Sequence, residues 1–182
     1  MQIEIMISGS SEQGILFAGM ILARAGMNSG KYVTWTPSYG LEMQGYTTYV
    51  TVIVSDEEIG SPLVRHPGVG LVLNDPSMEK FEPLVKIGGV LVYNSSLISS
   101  SPQRSNIKYV AIRASDIAAE LGDAEVANMV ALGALVAVTS VVSLTAAVVA
   151  LRYQQSDPHY KRLSLDEKAL RYGAQQVGLR GA

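Results

Sequence analysis

The stretch Gln2-Ile3-Glu4-Ile5-Met6-Ile7-Ser8-Gly9-Ser10-Ser11-Glu12-Gln13-Gly14-Ile15-Leu16 decides the fold. Residues Gln2 to Ile7 alternate and are rich in isoleucine, the pattern of a half-buried strand. Ser8 to Gln13 is a small, polar loop. From Gly14 to Ala25, Ile15, Leu16, Ala18, Gly19 and Leu22 recur at helical spacing. Gly26 and Gly30 bracket the helix exit, and Tyr32 to Trp35 forms a second strand. Strand, loop, helix and strand in that order make a β–α–β unit.

Working outward, Tyr46 to Val54 is an aromatic and β-branched run, the clearest strand in the chain. Ser55 to Pro62 is a turn with three acids. Val69 to Leu73 is a strand that ends at Asn74-Asp75-Pro76, where Asp75 caps a helix and Pro76 takes its first position. That helix reaches about Lys86, and Val90 to Tyr93 is the next strand. After the serine-rich loop Leu97 to Asn106 comes a strand at Ile107 to Ile112, then a short helix begun by Ser115 or Asp116. Helices follow at Ala124–Val138, Leu144–Tyr153 and Leu165–Gln176, with Ser164 and Glu167 as a capping box for the last. Gln154 to Arg162 is linker-like but too short to separate domains. The expectation is one α/β domain over residues 1–182. Its sheet is Rossmann-like, open and mostly parallel, flanked by helices, with a helical C-terminal region.

Of the 182 residues, 48% are apolar and 16% charged, whereas an average soluble domain is about a quarter charged. The surface is therefore short of charge, and part of it is expected to be covered by a partner. The net charge of −2 gives no basic footprint for nucleic acid. The absence of cysteine removes disulfides, thiolate nucleophiles and thiolate-bound clusters from this chain. His66 and His159 lie far apart, outside any metal-ligand pattern. The first residues carry no secretory pattern, so a cytoplasmic location is expected. Val126 to Leu151 holds no charge and is long enough to cross a bilayer. Its polar interruptions, and Ser143 placed to cap a second helix, argue for two buried helices instead.

Two loops hold the chemistry worth weighing. In the first, Gly9, Ser10, Gln13 and Gly14 stand where phosphate meets a helix N-terminus in doubly wound sheets. The dinucleotide fingerprint also wants glycine where Ser11 stands, and an acid after the second strand where Trp35-Thr36 stand. A complete NAD site is therefore not expected. The second loop contributes Pro37, Ser38, Tyr39, Gly40, Glu42, Met43 and Gly45, and long connections of this kind are often functional. Neither Ser10 nor Ser38 has an adjacent histidine, and no catalytic or metal-binding residue is assigned. Asp56-Glu57-Glu58 reads as a solvated turn, and Met6, Met20, Met27 and Met43 as core or interface filler. An enzyme piece that works with other chains fits this pattern, and so does a binding module.

Taken together, the loops resemble those of the gamma subunit of 2-oxoacid:ferredoxin oxidoreductases. That family carries a Gly-x-Gly-Gly-Gln-Gly loop, a Pro-Ser-Tyr-Gly-x-Glu-Met-Arg-Gly-Gly loop and a Ser-Asp-x-x-Ile-x-Ser-Pro turn. Here they read Gly9 to Gly14, Pro37 to Tyr46 and Ser55 to Pro62, and Asn128 to Ala134 is similar to the family's late helix. Tyr39 with Glu42-Met43 looks like the 2-oxoglutarate or branched-chain branch. The resemblance implies a subunit of an enzyme that cleaves a 2-oxoacid with thiamine diphosphate and Mg2+. Electrons pass through iron–sulfur clusters to ferredoxin, and acyl-CoA is released. It implies alpha and beta partner chains, with a delta chain where present, that hold the cofactors, and self-association of the chain when isolated. The two loops would lie near the active-site entrance and the coenzyme A path. Ser11 and Glu12 replace family glycines, and Gln44 and Tyr46 replace arginine and glycine, which removes a bidentate anion donor. The rival readings are a stand-alone Rossmann-type nucleotide-binding domain and a non-catalytic interaction subunit with degenerate loops.

Overall fold

The computed structural model describes residues 1–38, 47–153 and 161–178. Its strands are β1 (Gln2–Gly9), β2 (Tyr32–Pro37), β3 (Thr48–Ser55), β4 (Val69–Val72), β5 (Val90–Asn94) and β6 (Lys108–Ile112). They form one sheet in the order β2-β3-β1-β4-β5-β6. β1, β4, β5 and β6 pair in parallel, and β3 pairs antiparallel with both β1 and β2. The sheet is thus mixed, with a parallel half and an antiparallel hairpin at one side. Gly9 lies opposite Thr48 and Pro37 opposite Val50. This register puts the β2–β3 connection at the carboxyl end of β1, beside the first loop.

The helices are α1 (Ile15–Asn28), α2 (Asp75–Phe81), α3 (Ala114–Leu121), α4 (Ala127–Thr139), α5 (Leu144–Arg152) and α6 (Leu163–Gly178). Alternation along the strands divides the interior. Ile5, Ile7, Val50, Val52 and Val54 join the larger core with α1 and α4. Met6, Val72 and Leu91 face the other way, onto Met78 and Phe81 of α2. The uncharged stretch is two buried helices, as its polar breaks imply. Ser143 caps α5 by accepting from the Ala146 N–H at 3.0 Å, and no helix among the described residues is long and apolar enough to cross a membrane.

Several boundaries differ from the sequence reading, each for a local reason. Asn74, not Asp75, caps α2, accepting from the Ser77 N–H at 3.0 Å. Asp75 is instead drawn off to the serine-rich loop. Pro83 lacks the N–H that would carry α2 onward, and a 3-10 turn at Glu82–Leu84 replaces the expected helix to Lys86. Gly26 lies within α1, where a Cβ would sit 2.8 Å from Val33 Cγ2, and the helix runs on to Asn28. Arg113 stands at the N-cap position of α3 without a side-chain cap, and Ser115 turns its side chain to Asn94. Residues Ala124–Val126 are a 3-10 turn before α4. Ser164 lies inside α6, where Glu167 pairs with Arg152 and Arg171 instead of closing a capping box.

α4 is buried from Asn128 to Val136, as expected of a helix apolar on every side. α6 crosses it at backbone contact. A Cβ on Gly133 would lie 2.0 Å from the Leu170 carbonyl oxygen, and one on Gly173 would lie 1.9 Å from that of Val130. Backbone cannot yield as a flexible side-chain tip does. Gly133→Ala and Gly173→Ala should therefore each destabilise by about 3 kcal/mol or more in urea unfolding. Gly60→Ala, with nothing among the described residues within 4 Å, should stay within about 0.5 kcal/mol.

Asp56 leads the acidic turn and pairs with the Met1 ammonium at 2.8 Å and with Lys31. The Lys31 hydrogen bond first, then that of the amino terminus, lowers its pKa from 3.8 to about 2. A depressed carboxylate adds stability above its unfolded pKa and loses it as pH falls through the folded value. Between pH 3.8 and about 2 the urea midpoint should therefore fall more for the native chain than for Asp56→Asn. Salt should shrink this difference, because the pair is exposed.

Candidate functional site

The carboxyl ends of β1, β2, β4, β5 and β6 share one edge of the sheet, the place where open α/β sheets bind ligands. Gly9, Ser10, Gln13 and Gly14 lie there. After β1 the chain makes a 3-10 turn at Ser11–Gln13, and Gly14 enters α1 at φ 65°. Gln13 folds back over this turn. Its Oε1 accepts from the Ser10 N–H at 2.8 Å, and its Nε2 donates to the Leu73 carbonyl at 3.2 Å. A Cβ on Gly9 would meet that same Oε1 at 2.6 Å. Gly9 is therefore glycine to admit the Gln13 side chain.

This arrangement does not fit a pyrophosphate. The Ser10 N–H is already bonded, the Gln13 side chain fills the space over Gly9, and Glu12 is the loop's one charged side chain. A phosphate needs free N–H groups and positive potential at such a turn.

Of the second loop, Pro37 and Ser38 lie among the described residues; Tyr39, Gly40, Glu42, Met43 and Gly45 lie outside them. Pro37 ends β2. The Ser38 hydroxyl donates to the Tyr49 carbonyl at 2.8 Å and accepts the Tyr49 N–H at 3.2 Å. It closes the neck of the hairpin and is not presented as a nucleophile. Beside it, Tyr49 packs on Phe81 with ring centroids 5.2 Å apart.

Three further groups build this edge, and the sequence reading assigned none of them to the site. Asn94, buried at the end of β5, donates to the Ser115 hydroxyl at 2.9 Å and to the Leu73 carbonyl at 3.4 Å. Asp75 holds the serine-rich loop, accepting from the Ser100 hydroxyl at 2.7 Å and N–H at 3.1 Å, and from Ser99. The Ser100 hydroxyl, then its N–H, lowers the Asp75 pKa.

The third group is Asn128, in the first turn of α4 and 4% exposed. Its Nδ2 donates to the Gly14 carbonyl at 3.2 Å, while its Oδ1 meets no donor among the described residues. A Cβ on Gly14 would lie 2.2 Å from that Nδ2. One such hydrogen bond contributes about 0.5–1.5 kcal/mol, and enclosing an acceptor without a donor costs about 1–3 kcal/mol. Within the chain these two contributions roughly offset, so Asn128 adds little to its stability. A signal for Asn128 existed in the sequence: it is a lone amide in an uncharged helix.

A cleft of about 440 Å³ opens elsewhere, between Met78, Pro83, Ser101 and Arg104. Its buried Glu82 is consumed by the Tyr109 hydroxyl and the Gln103 N–H. It adjoins the loop edge through Ser100 and Ser101 of the serine-rich loop. His66 lies on a connecting loop near the Leu84 carbonyl, and no three of His, Asp and Glu converge as a metal site among the described residues.

The pyruvate ferredoxin/flavodoxin oxidoreductase family profile matches residues 4–176. Ketoisovalerate oxidoreductase subunit VorA of Methanothermobacter thermautotrophicus is 36% identical over 136 residues, 75% of this chain; the chain spans only 28% of that protein. 2-Oxoglutarate synthase subunit KorC of Methanothermobacter marburgensis is 34% identical over 159 residues, 84% of this chain and 86% of that protein. The gamma subunit of a keto/oxoacid ferredoxin oxidoreductase from Geobacter sulfurreducens superposes with a TM-score of 0.84 at 32% identity, covering 97% of this chain and 99% of that one. The chain belongs to the pyruvate ferredoxin/flavodoxin oxidoreductase family, in the gamma-subunit form found among 2-oxoacid:ferredoxin oxidoreductases.

Proposed function

We propose that the chain acts as one domain over residues 1–182, the gamma subunit of a multisubunit, cytoplasmic 2-oxoacid:ferredoxin oxidoreductase. The complex converts a 2-oxoacid to acyl-CoA, CO2 and reduced ferredoxin. The observation that carries this reading is the meeting of the Gly9–Gly14 loop and the Ser38 hairpin neck at one sheet edge. That edge belongs to a chain which matches a gamma subunit over 99% of its length.

Thiamine diphosphate supplies carbanion stabilisation to such a reaction. This chain's residues do not fit its pyrophosphate, as the Gln13 side chain shows, and with no cysteine the chain cannot hold a thiolate-bound cluster. Alpha and beta chains, with a delta chain where present, therefore carry thiamine diphosphate, Mg2+ and the iron–sulfur clusters. The gamma chain supplies a shaped wall whose first loop carries a single charge, that of Glu12. Gln13, Ser10 and Ser38 fix the backbone that faces the partner's active site and the coenzyme A path. Leu97, 51% exposed on the loop after β5, gives the same edge an apolar contact. A stand-alone dinucleotide-binding domain is less well supported, because the turn's leading N–H is already bonded to Gln13.

The test is reconstitution with the alpha and beta chains and 2-oxoacid-dependent viologen reduction, run across several 2-oxoacids. Activity should require this chain. Gln13→Ala, which frees both Ser10 and Leu73, should lower kcat/KM by about tenfold, in keeping with the cost of small misplacements. Equal rates with the chain left out would contradict the proposal, and heat with NAD in calorimetry of the isolated chain would favour the dinucleotide reading.

A further inference from the structure

Asn128 is a polar residue in a place that rewards apolar ones. From Met129 to Val136 its helix is apolar or glycine and buried on every side. It offers two polar ends, of which one finds a partner among the described residues, the Gly14 carbonyl 3.2 Å away and 114 residues earlier in the chain. Gly14 matches it from the other side. It has no Cβ, and one would stand 2.2 Å from the Asn128 Nδ2. That carbonyl also receives the Ala18 N–H at 3.0 Å, the first bond of α1. Its direction therefore sets both the start of α1 and the end of the Ser10–Gln13 turn. A side chain that adds little stability, yet fixes one carbonyl at the end of a loop, is a device for holding that loop in shape.

We propose that Asn128 is a positioning residue for the Ser10–Gly14 loop, acting through the Gly14 carbonyl, and that through this loop it sets the affinity of the assembled enzyme for substrate. The second clause rests on the gamma-subunit reading; the first concerns this chain alone.

Hydrogen exchange separates the two. In the full chain, the Ser10 amide is held by Gln13 Oε1 at 2.8 Å and the Gln13 amide by the Ser10 carbonyl at 3.1 Å, so both report on the loop. Asn128→Ala and Asn128→Leu should speed exchange at these two amides by about tenfold or more, as expected of a local opening. The amides of Ile5 and Ile7 in β1 should keep their rates, and the unfolding temperature should stay level or rise. In the reconstituted complex the KM for the 2-oxoacid or for coenzyme A should rise by about threefold or more, with kcat kept within about twofold, the pattern of lost binding. Unchanged exchange at Ser10 and Gln13 would overturn the inference. So would uniform acceleration of all amides with a lowered unfolding temperature, or loss of folding in both variants, which would make Asn128 a structural residue. A loosened loop with both KM values unchanged would uphold the positioning of the loop and overturn its role toward substrate.

Discussion

The fold depends on a helix buried without a break from Asn128 to Val136. α4 lies against the sheet, α1, α3, α5 and α6. It can do so because Gly133 and Gly173 let α4 and α6 touch through their backbones. Close approach of this kind fixes the rotation of α4 about its own axis. A fixed rotation aims the first turn at the sheet's carboxyl edge, and Asn128 reaches Gly14 as a result. Packing in the middle of the molecule thus determines the shape of a loop at its edge.

That edge is built from hydrogen bonds the chain makes to itself. Gln13 closes the turn after β1, Ser38 closes the hairpin, Asn94 ties β5 to β4 and α3, and Asp75 anchors the serine-rich loop. Few of these groups are left to grip a charged ligand. A self-satisfied polar rim presents a shape instead. It suits a subunit that confines chemistry held elsewhere, and it agrees with a chain of low charge and no cysteine.

Much of the architecture is legible in the sequence. Strong β-branched runs marked β1 and β3, and Ser143 correctly split the uncharged stretch into two helices. What was not legible turned on competition between neighbours. Asn74 and Asp75 are both capable caps, and which one serves α2 depends on Ser99 and Ser100, more than twenty residues away. The antiparallel β3 between β1 and β2 follows from hairpin pairing that alternation cannot reveal. At the site, the Gly9–Gly14 loop was visible as a departure from a phosphate-binding pattern. Its cause, the Gln13 side chain filling the turn, needs the fold. Asn128 was visible as a polar break in an apolar run, but its partner lies 114 residues away.

The central claim is that this sheet edge faces a partner chain. Comparing hydrogen exchange in the isolated chain and in the complex with the proposed alpha and beta chains tests it most directly. The account predicts slowed exchange on assembly at Ser10 to Gly14 and at Ser95 to Ser101. Unchanged exchange along these loops, with slowing confined to a surface such as the outer face of α6, would contradict it.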